Sequence, residues 1–286
     1  MSPNTVSDEF PARIARIERA GYNLIAARYA EAAAARAELA SALVGAAALR
    51  AGQKVLDIAA GPGTLTLAAA ARVGSAGLAI ASDLAEAALA ECARLGAEAA
   101  APAPACVAAN AQRLPFRDGS FDRVLCGLGL MFFPRPEAAL GEVRAVLRPG
   151  GALAVSVWGE AQEVPLVSCA LECMRRVLPP PKLARPSVFR FGDPARLAAL
   201  IEGAGFVEAR VEHFALESTF PDPAAYWQSF LDLAGGAAWS LARLPADSRG
   251  RLADEVRVEL SPWRQGSGYR MRSRVLIACA RRPAPR

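Results

Sequence analysis

Acids, amides and glycines recur where short apolar runs stop. Val55-Leu56-Asp57-Ile58 leads into Ala59-Ala60-Gly61-Pro62-Gly63-Thr64, an acid and a glycine-bracketed turn ahead of an Ala/Leu run. That pattern reads as strand, tight loop and helix N-terminus, the arrangement in which an open parallel sheet holds a nucleotide-like ligand. Asp83 ends a second apolar run and is placed to accept hydrogen bonds from ribose hydroxyls. Asn110-Ala111-Gln112 ends a third and offers amide or backbone groups to an adenine edge. Cys126-Gly127-Leu128-Gly129 opens the loop after a fourth. Each feature alone is as often a turn-maker or a solubilising residue. Their order and spacing together point to a cofactor.

The elements that position these residues follow from periodicity. Residues from about Phe10 to Leu49 read as a helical lead-in. Strands are expected at Lys54–Ile58, Leu78–Ser82, Ala105–Ala109, Phe121–Cys126 and Ala152–Trp158, with helices between them. This βαβα alternation predicts a doubly wound, mostly parallel sheet in which the strands' carboxyl ends share one edge. Further on, Leu166–Leu178 reads as a helix stopped by Pro179-Pro180-Pro181, and Asp193-Pro194 as a helix start. Phe206–Leu216 and Tyr269–Ala280 read as strands, and Pro223–Leu233 and Ser248–Leu260 as helices with a break at Ala234–Gly236.

The stretches Val55–Thr64, Asp83, Asn110–Phe116, Asp118–Val124, Gly129–Pro134 and Glu142–Gly151 resemble a class I S-adenosylmethionine-dependent methyltransferase of the ubiquinone/menaquinone-methyltransferase-like, small-molecule branch. The resemblance covers about a third of the chain. It departs at Ala59, where the family often has a glycine. It implies a seven-stranded, mostly parallel Rossmann-like sheet in a methyltransferase domain at 51–286. A helical N-terminal cover is expected at 1–50, and a C-terminal helical lid insertion at about 218–265. It implies S-adenosyl-L-methionine as cofactor, with Asp57, Ala59, Gly61, Gly63, Thr64, Asp83, Leu84, Asn110, Ala111, Gln112 and Cys126 around it. The loop glycines would let backbone amides approach the methionine portion, and Asp57 would orient the loop or receive the ammonium. Methyl transfer from a sulfonium needs mainly an in-line nucleophile. A nicotinamide enzyme fits less well, because the loop lacks a third glycine and Asp57 would repel a diphosphate.

The acceptor is expected near the loop after the fourth strand, at Met131 and Phe132, with Tyr22 from the lead-in and Trp227 from the aromatic-rich insertion. For each of these, packing in the core or at a dimer surface is the competing role. His213 is the sole histidine and shares parity with Val207, Val211 and Ala215 on one strand face. That setting usually makes a histidine structural, yet it is the one general-base candidate to stand out. If His213 is not a base, an amine, an enolic carbon or an acidic hydroxyl is favoured as acceptor.

Composition narrows the partners. The 286 residues are 53% hydrophobic and 21% charged, with net charge +5 and no dense Lys/Arg cluster, so no nucleic-acid partner is expected. No uncharged run reaches the roughly 18 residues of a membrane span. The stretch Met1–Arg13 lacks an apolar core, so no signal peptide is expected. Six cysteines without a CxxC fit reduced thiols and a cytoplasmic protein. Cys169 and Cys173 are four apart on a helix, but small apolar packing explains them better than a metal, and none is expected. Apolar helices at both ends allow a homodimer. The alternatives are a nucleic-acid or protein methyltransferase, and a protein that binds the cofactor without methylating.

Overall fold

The computed structural model describes residues 5–99, 101–180, 183, 185–242 and 244–284. Pro181 of the expected triple-proline stop lies outside them. The chain begins with α1 (Thr5–Glu31), a 3-10 turn (Ala32–Arg36) and α2 (Ala37–Ala46). The doubly wound part follows as β1 (Lys54–Ile58), α3 (Thr64–Val73), β2 (Leu78–Asp83), α4 (Glu86–Glu98), β3 (Ala105–Ala108), β4 (Phe121–Gly127), α5 (Pro136–Val146) and β5 (Leu147–Trp158). Then come α6 (Pro165–Val177), α7 (Pro194–Gly203), β6 (Val207–Phe220), α8 (Pro223–Leu233), α9 (Gly235–Leu241) and α10 (Ala246–Glu259). The two-residue β7 (Arg264–Gln265) and β8 (Gly268–Arg281) end the fold.

The strands order as β3-β2-β1-β4-β5-β8-β6, with β7 paired to β8 off this path. β1 to β5 pair in parallel, while β8 runs antiparallel to both β5 and β6. The expected seven-stranded, mostly parallel sheet is therefore present, with β7 as a short addition. Consecutive residues of β1, Val55 and Leu56, are 1% and 0% exposed, so both faces of the sheet are covered. That is why its central strands read as unbroken apolar runs. Cross-pairing in register brings the ends of β1, β2 and β4 to one edge: Asp57 lies opposite Ala81 and Leu125.

Local signals set several boundaries. Asp193 and Asp222 each accept a backbone N–H at 2.8 Å, from Arg196 and Ala225, and each precedes a proline at the first helical position. Two expectations change. The helical lead-in is not continuous, because the 3-10 turn at Ala32–Arg36 separates α1 from α2. The expected break at Ala234–Gly236 shrinks to Ala234, and both glycines lie inside α9. They serve a helix crossing instead of a turn. A Cβ on Gly21 of α1 would come within 2.4 Å of the Gly235 backbone, so only glycines allow the two helices to approach this closely.

Candidate active site

Asp57 lies at the carboxyl end of β1, 1% exposed. Its Oδ2 accepts the Thr66 hydroxyl at 2.6 Å, and its Oδ1 is buried without a partner. Burial pushes its carboxyl up to about 7, reinforced by repulsion from Asp83 and opposed by the Thr66 hydrogen bond. The loop above it turns through left-handed residues, Ala59 at φ 53°, Gly61 at φ 55° and Gly63 at φ 86°. A Cβ on Gly61 would sit 2.8 Å from the Tyr29 ring, and one on Gly63 would sit 2.2 Å from Cys92 Sγ. The first glycine thus makes room on the cavity side. The second lets the loop pack on α4.

Asp83 ties this loop to the next element. Its Oδ2 accepts the Gly61 N–H and its Oδ1 the Ala85 N–H, both at 2.8 Å. Burial raises its carboxyl above the ordinary value, while these backbone donors pull it down. Each oxygen retains a second acceptor position. Asn110 Oδ1 accepts the Gln112 N–H at 2.9 Å, and Gln112 Oε1 accepts the Arg135 N–H at 2.9 Å. These bonds fix the end of β3 as a wall.

A cavity of about 800 Å3 opens over these groups, lined by Ala59, Gly61, Asp83, Leu84 and the stretch 109–112. Its roof is α1, through Glu18, Arg19 and Tyr22. The roof is tied down on one side by Asn23, which accepts the Ala87 N–H at 2.9 Å, and by the Arg19–Glu86 ion pair. On the other side Arg185 pairs with Glu18 at 2.9 Å. Burial raises the Glu18 carboxyl, and its Oε2 is buried without a partner.

A second cavity of about 460 Å3 lies between α2 and the start of α3, beside Arg36, Thr64 and Ser156. A third, of about 880 Å3, is walled by Trp158, Leu166, Leu216, Phe220 and Leu233. The first and third meet at Tyr22, Tyr29, Leu128 and Phe132. Tyr22 is edge-on to Phe132 with centroids 6.0 Å apart, and lies 5.6 Å from the Tyr29 ring. Burial drives the Tyr22 hydroxyl well above its ordinary value, so it stays protonated.

The structure gathers nine of the sequence-derived residues around the first cavity: Ala59, Gly61, Asp83, Leu84, Asn110, Ala111, Gln112, Tyr22 and Phe132. Thr64 lines the second, with its hydroxyl oxygen buried and unpartnered. Asp57 lies beneath the loop, and Gly63 is in the loop but packs on Cys92 of α4, so neither lines the wall. Cys126 is fully buried behind Gly129, its thiol pushed up to about 12 by desolvation. Met131 is 1% exposed in the main core, so its chain spacing beside Phe132 did not bring it to a cavity. Trp227 is half-buried and stacks on Phe230 at 5.5 Å, lining none of these cavities. His213 is exposed on β6 opposite Leu276 and lines none either. Val211 of the same parity is partly buried against the core, but the edge strand leaves His213 itself in solvent. Sequence reasoning missed Glu18, Arg36 and Leu128. Leu128 sits at φ 52° between two glycines, and the Gly-Leu-Gly run was its only signal.

Residues 56–155 match the family model described as a methyltransferase domain. A demethylmenaquinone methyltransferase of Mycolicibacterium vanbaalenii is 35% identical over 115 residues, 36% of this chain and 50% of the relative. An uncharacterized protein of Mycobacterium tuberculosis is 50% identical over 50 residues, 18% of each chain. The matched stretches thus span half or less of these curated relatives. Among solved structures, a Bacillus halodurans C-125 protein superposes with TM-score 0.60 at 21% identity, over 86% of this chain and 99% of that one. The [4+2]-cyclase SpnF superposes with TM-score 0.55 at 20% identity, over 87% and 82%. These likenesses confirm the Rossmann-like methyltransferase fold. The residues present also fit the cofactor of that family, with a glycine where a Cβ would obstruct the wall and a doubly braced acid open to the cavity. Residues 56–155 thus carry the match to a methyltransferase domain, set within a chain that has the Rossmann-like methyltransferase fold.

Proposed function

We propose that the protein transfers a methyl group from S-adenosylmethionine to a small organic acceptor held in the cavity of Trp158, Leu166, Leu216 and Phe220. The observation that carries this reading is the junction of two cavities at Tyr22, Tyr29, Leu128 and Phe132. One cavity carries Asp83, Asn110 and Gln112, groups suited to a nucleoside, and the other sets Trp158, Leu166, Leu216 and Phe220 beside the polar Arg36, Ser218, Thr219 and Ser229. When bound, S-adenosylmethionine supplies an activated methyl on a sulfonium. Asp83 would accept ribose hydroxyls on its free lone pairs, and Leu84, Asn110 and Ala111 would flank the base. Gly61 would admit the chain close to the backbone. Tyr22 and Phe132 would exclude water and hold the acceptor in line, which supplies most of the acceleration in such a displacement.

The enclosed wall of Trp158, Leu166, Leu216 and Phe220 supports a small-molecule acceptor, and the demethylmenaquinone methyltransferase relative makes ring-bearing acceptors the first to try. His213 lies outside the cavities, so the reading assigns it no catalytic part. An acceptor that needs little deprotonation is favoured. In this reading residues 1–50 act as cover and about 218–265 as lid of the domain at 51–286. Free thiols on all six cysteines support a cytoplasmic setting, and no helix among the described residues is long and apolar enough to cross a membrane.

Calorimetry with S-adenosylhomocysteine tests the cofactor half. We expect binding by the wild type and a loss of at least about tenfold for Asp83→Ala, the scale of one charge-assisted hydrogen bond. No heat from a folded wild type would sink the reading. Mass spectrometry after incubation with deuteromethyl-labelled cofactor and a panel of quinols, phenols, enols and amines tests transfer. One second reading is cofactor binding without methylation, since the fold also serves a [4+2]-cyclase. Binding of S-adenosylhomocysteine with no labelled product from any acceptor would favour it.

A further inference from the structure

Arg36 closes the 3-10 turn between α1 and α2 and lines both the cavity of about 460 Å3 and the one of about 880 Å3. It does not line the cavity that holds Asp83 and Asn110. Its guanidinium carbon lies 4.1 Å from the centre of the Tyr29 ring, so the side chain is held in place from one face. Its Nε is buried and has no hydrogen-bond partner among the described residues. The other charged side chain of the larger cavity, Glu217, is engaged elsewhere, 3.0 Å from Arg270 and 3.5 Å from Arg272. A buried donor without a partner is costly, and an arriving anion removes that cost. The planar fork of a guanidinium suits a carboxylate or an ionised hydroxyl beside a flat body. The walls that such a body would meet are Trp158, Leu166, Leu216 and Phe220.

We propose that Arg36 binds an acidic group, a carboxylate or an ionised acidic hydroxyl, on an otherwise apolar, ring-sized acceptor. This rests on the acceptor cavity of the methyltransferase reading and narrows it to a substrate class.

The test uses the full chain saturated with S-adenosylhomocysteine and two probes of equal shape, 2-naphthoate and 2-naphthamide, titrated by calorimetry. The wild type is expected to bind the acid about tenfold more tightly than the amide, the worth of one charge-assisted contact. Arg36→Gln is expected to abolish that preference and Arg36→Lys to keep part of it. Equal binding of both probes by the wild type overturns the proposal, as does a preference that survives in Arg36→Gln. A third result also overturns it. If Arg36→Gln weakens S-adenosylhomocysteine about tenfold and leaves 5′-methylthioadenosine unchanged, the anion at Arg36 is the cofactor's own carboxylate. A wild type that binds no S-adenosylhomocysteine removes the methyltransferase reading itself, so the two failures are distinct. Should Arg36→Gln not fold, the wild-type preference and Arg36→Lys still decide.

Discussion

Leu128 lines all three cavities, and its N–H donates to the Ser156 carbonyl at 3.0 Å and the Ser156 hydroxyl at 3.1 Å. Those bonds hold a leucine in the left-handed region, which costs about 1–2 kcal/mol. Leu128→Gly relieves that strain and removes a wall shared by three cavities. Its thermal stability should stay near wild type, because strain relief and lost packing oppose each other. Its affinity for S-adenosylhomocysteine, read by calorimetry, should fall about tenfold, as for a lost apolar contact of this size. Asp57 carries a different burden. Its folded carboxyl titrates near 7, above the ordinary 3.8, because burial disfavours its charge. Between these values the folded chain holds a proton that the unfolded chain has lost, so this group makes stability fall as pH rises from about 4 to 7. Denaturant melts of wild type and Asp57→Asn across that window should diverge, with the wild type losing ground as pH rises. Parallel pH profiles would refute this account.

At the level of elements, the roof of the cofactor cavity depends on a helix crossing. Gly21→Ala places a methyl 2.4 Å from the Gly235 backbone, which cannot move aside without shifting α9. Forcing this contact costs about 1–3 kcal/mol, the scale of overpacking. We expect α1 to lift: trypsin should cut within α1 in the variant and spare it in the wild type, and affinity for S-adenosylhomocysteine should fall with it. Gly141→Ala is the control, since nothing lies within 4 Å of a Cβ there. The crossing also marks a limit of the sequence reading. Gly235 and Gly236 carry the signal of a turn, and a glycine that breaks a helix looks the same in one dimension as one that admits another helix. The βαβα core was legible because its central strands β1, β4 and β5 are buried on both faces, and the acids closing β1 and β2 fell where the register required. Asp83 was legible for that reason. Arg36 was not, because an arginine in an Ala/Glu-rich helix reads as a solvated face until the chain bends at the 3-10 turn.

Across the whole molecule, ligand binding and the two ends of the fold are one system. α1 touches α4 through Arg19 and Asn23, α9 through Gly21, and the chain before α7 through Glu18 and Arg185. Amide exchange followed by mass spectrometry should therefore show α1 and α9 opening together, faster than β1 and β4. Saturating S-adenosylhomocysteine at 100 times its dissociation constant should slow both helices by about 100-fold, the limit set by mass action. Slowing of α1 alone would mean that the two helices open independently. The acceptor cavity's wall joins the same system, since Leu216 and Phe220 come from β6, which pairs along its length with β8. The sequence reading brought the two segments together at the acceptor through Tyr22 and Trp227, but it carried no sign of the Gly21–Gly235 crossing by which they meet.

The Gly21–Gly235 crossing has a consequence for the chain as it is made. The segment that roofs the cofactor cavity is synthesised before the sheet it covers, and while α4 follows within about 65 residues, the α9 half of its docking surface is translated more than two hundred residues later. Between those moments the glycine loop, Asp83 and Asn110 can be assembled on β1 to β4 with α1 held above them through α4 alone. A nascent chain can thus hold the floor of its cofactor site early, but the roof is not locked over a ligand until α9 has been translated.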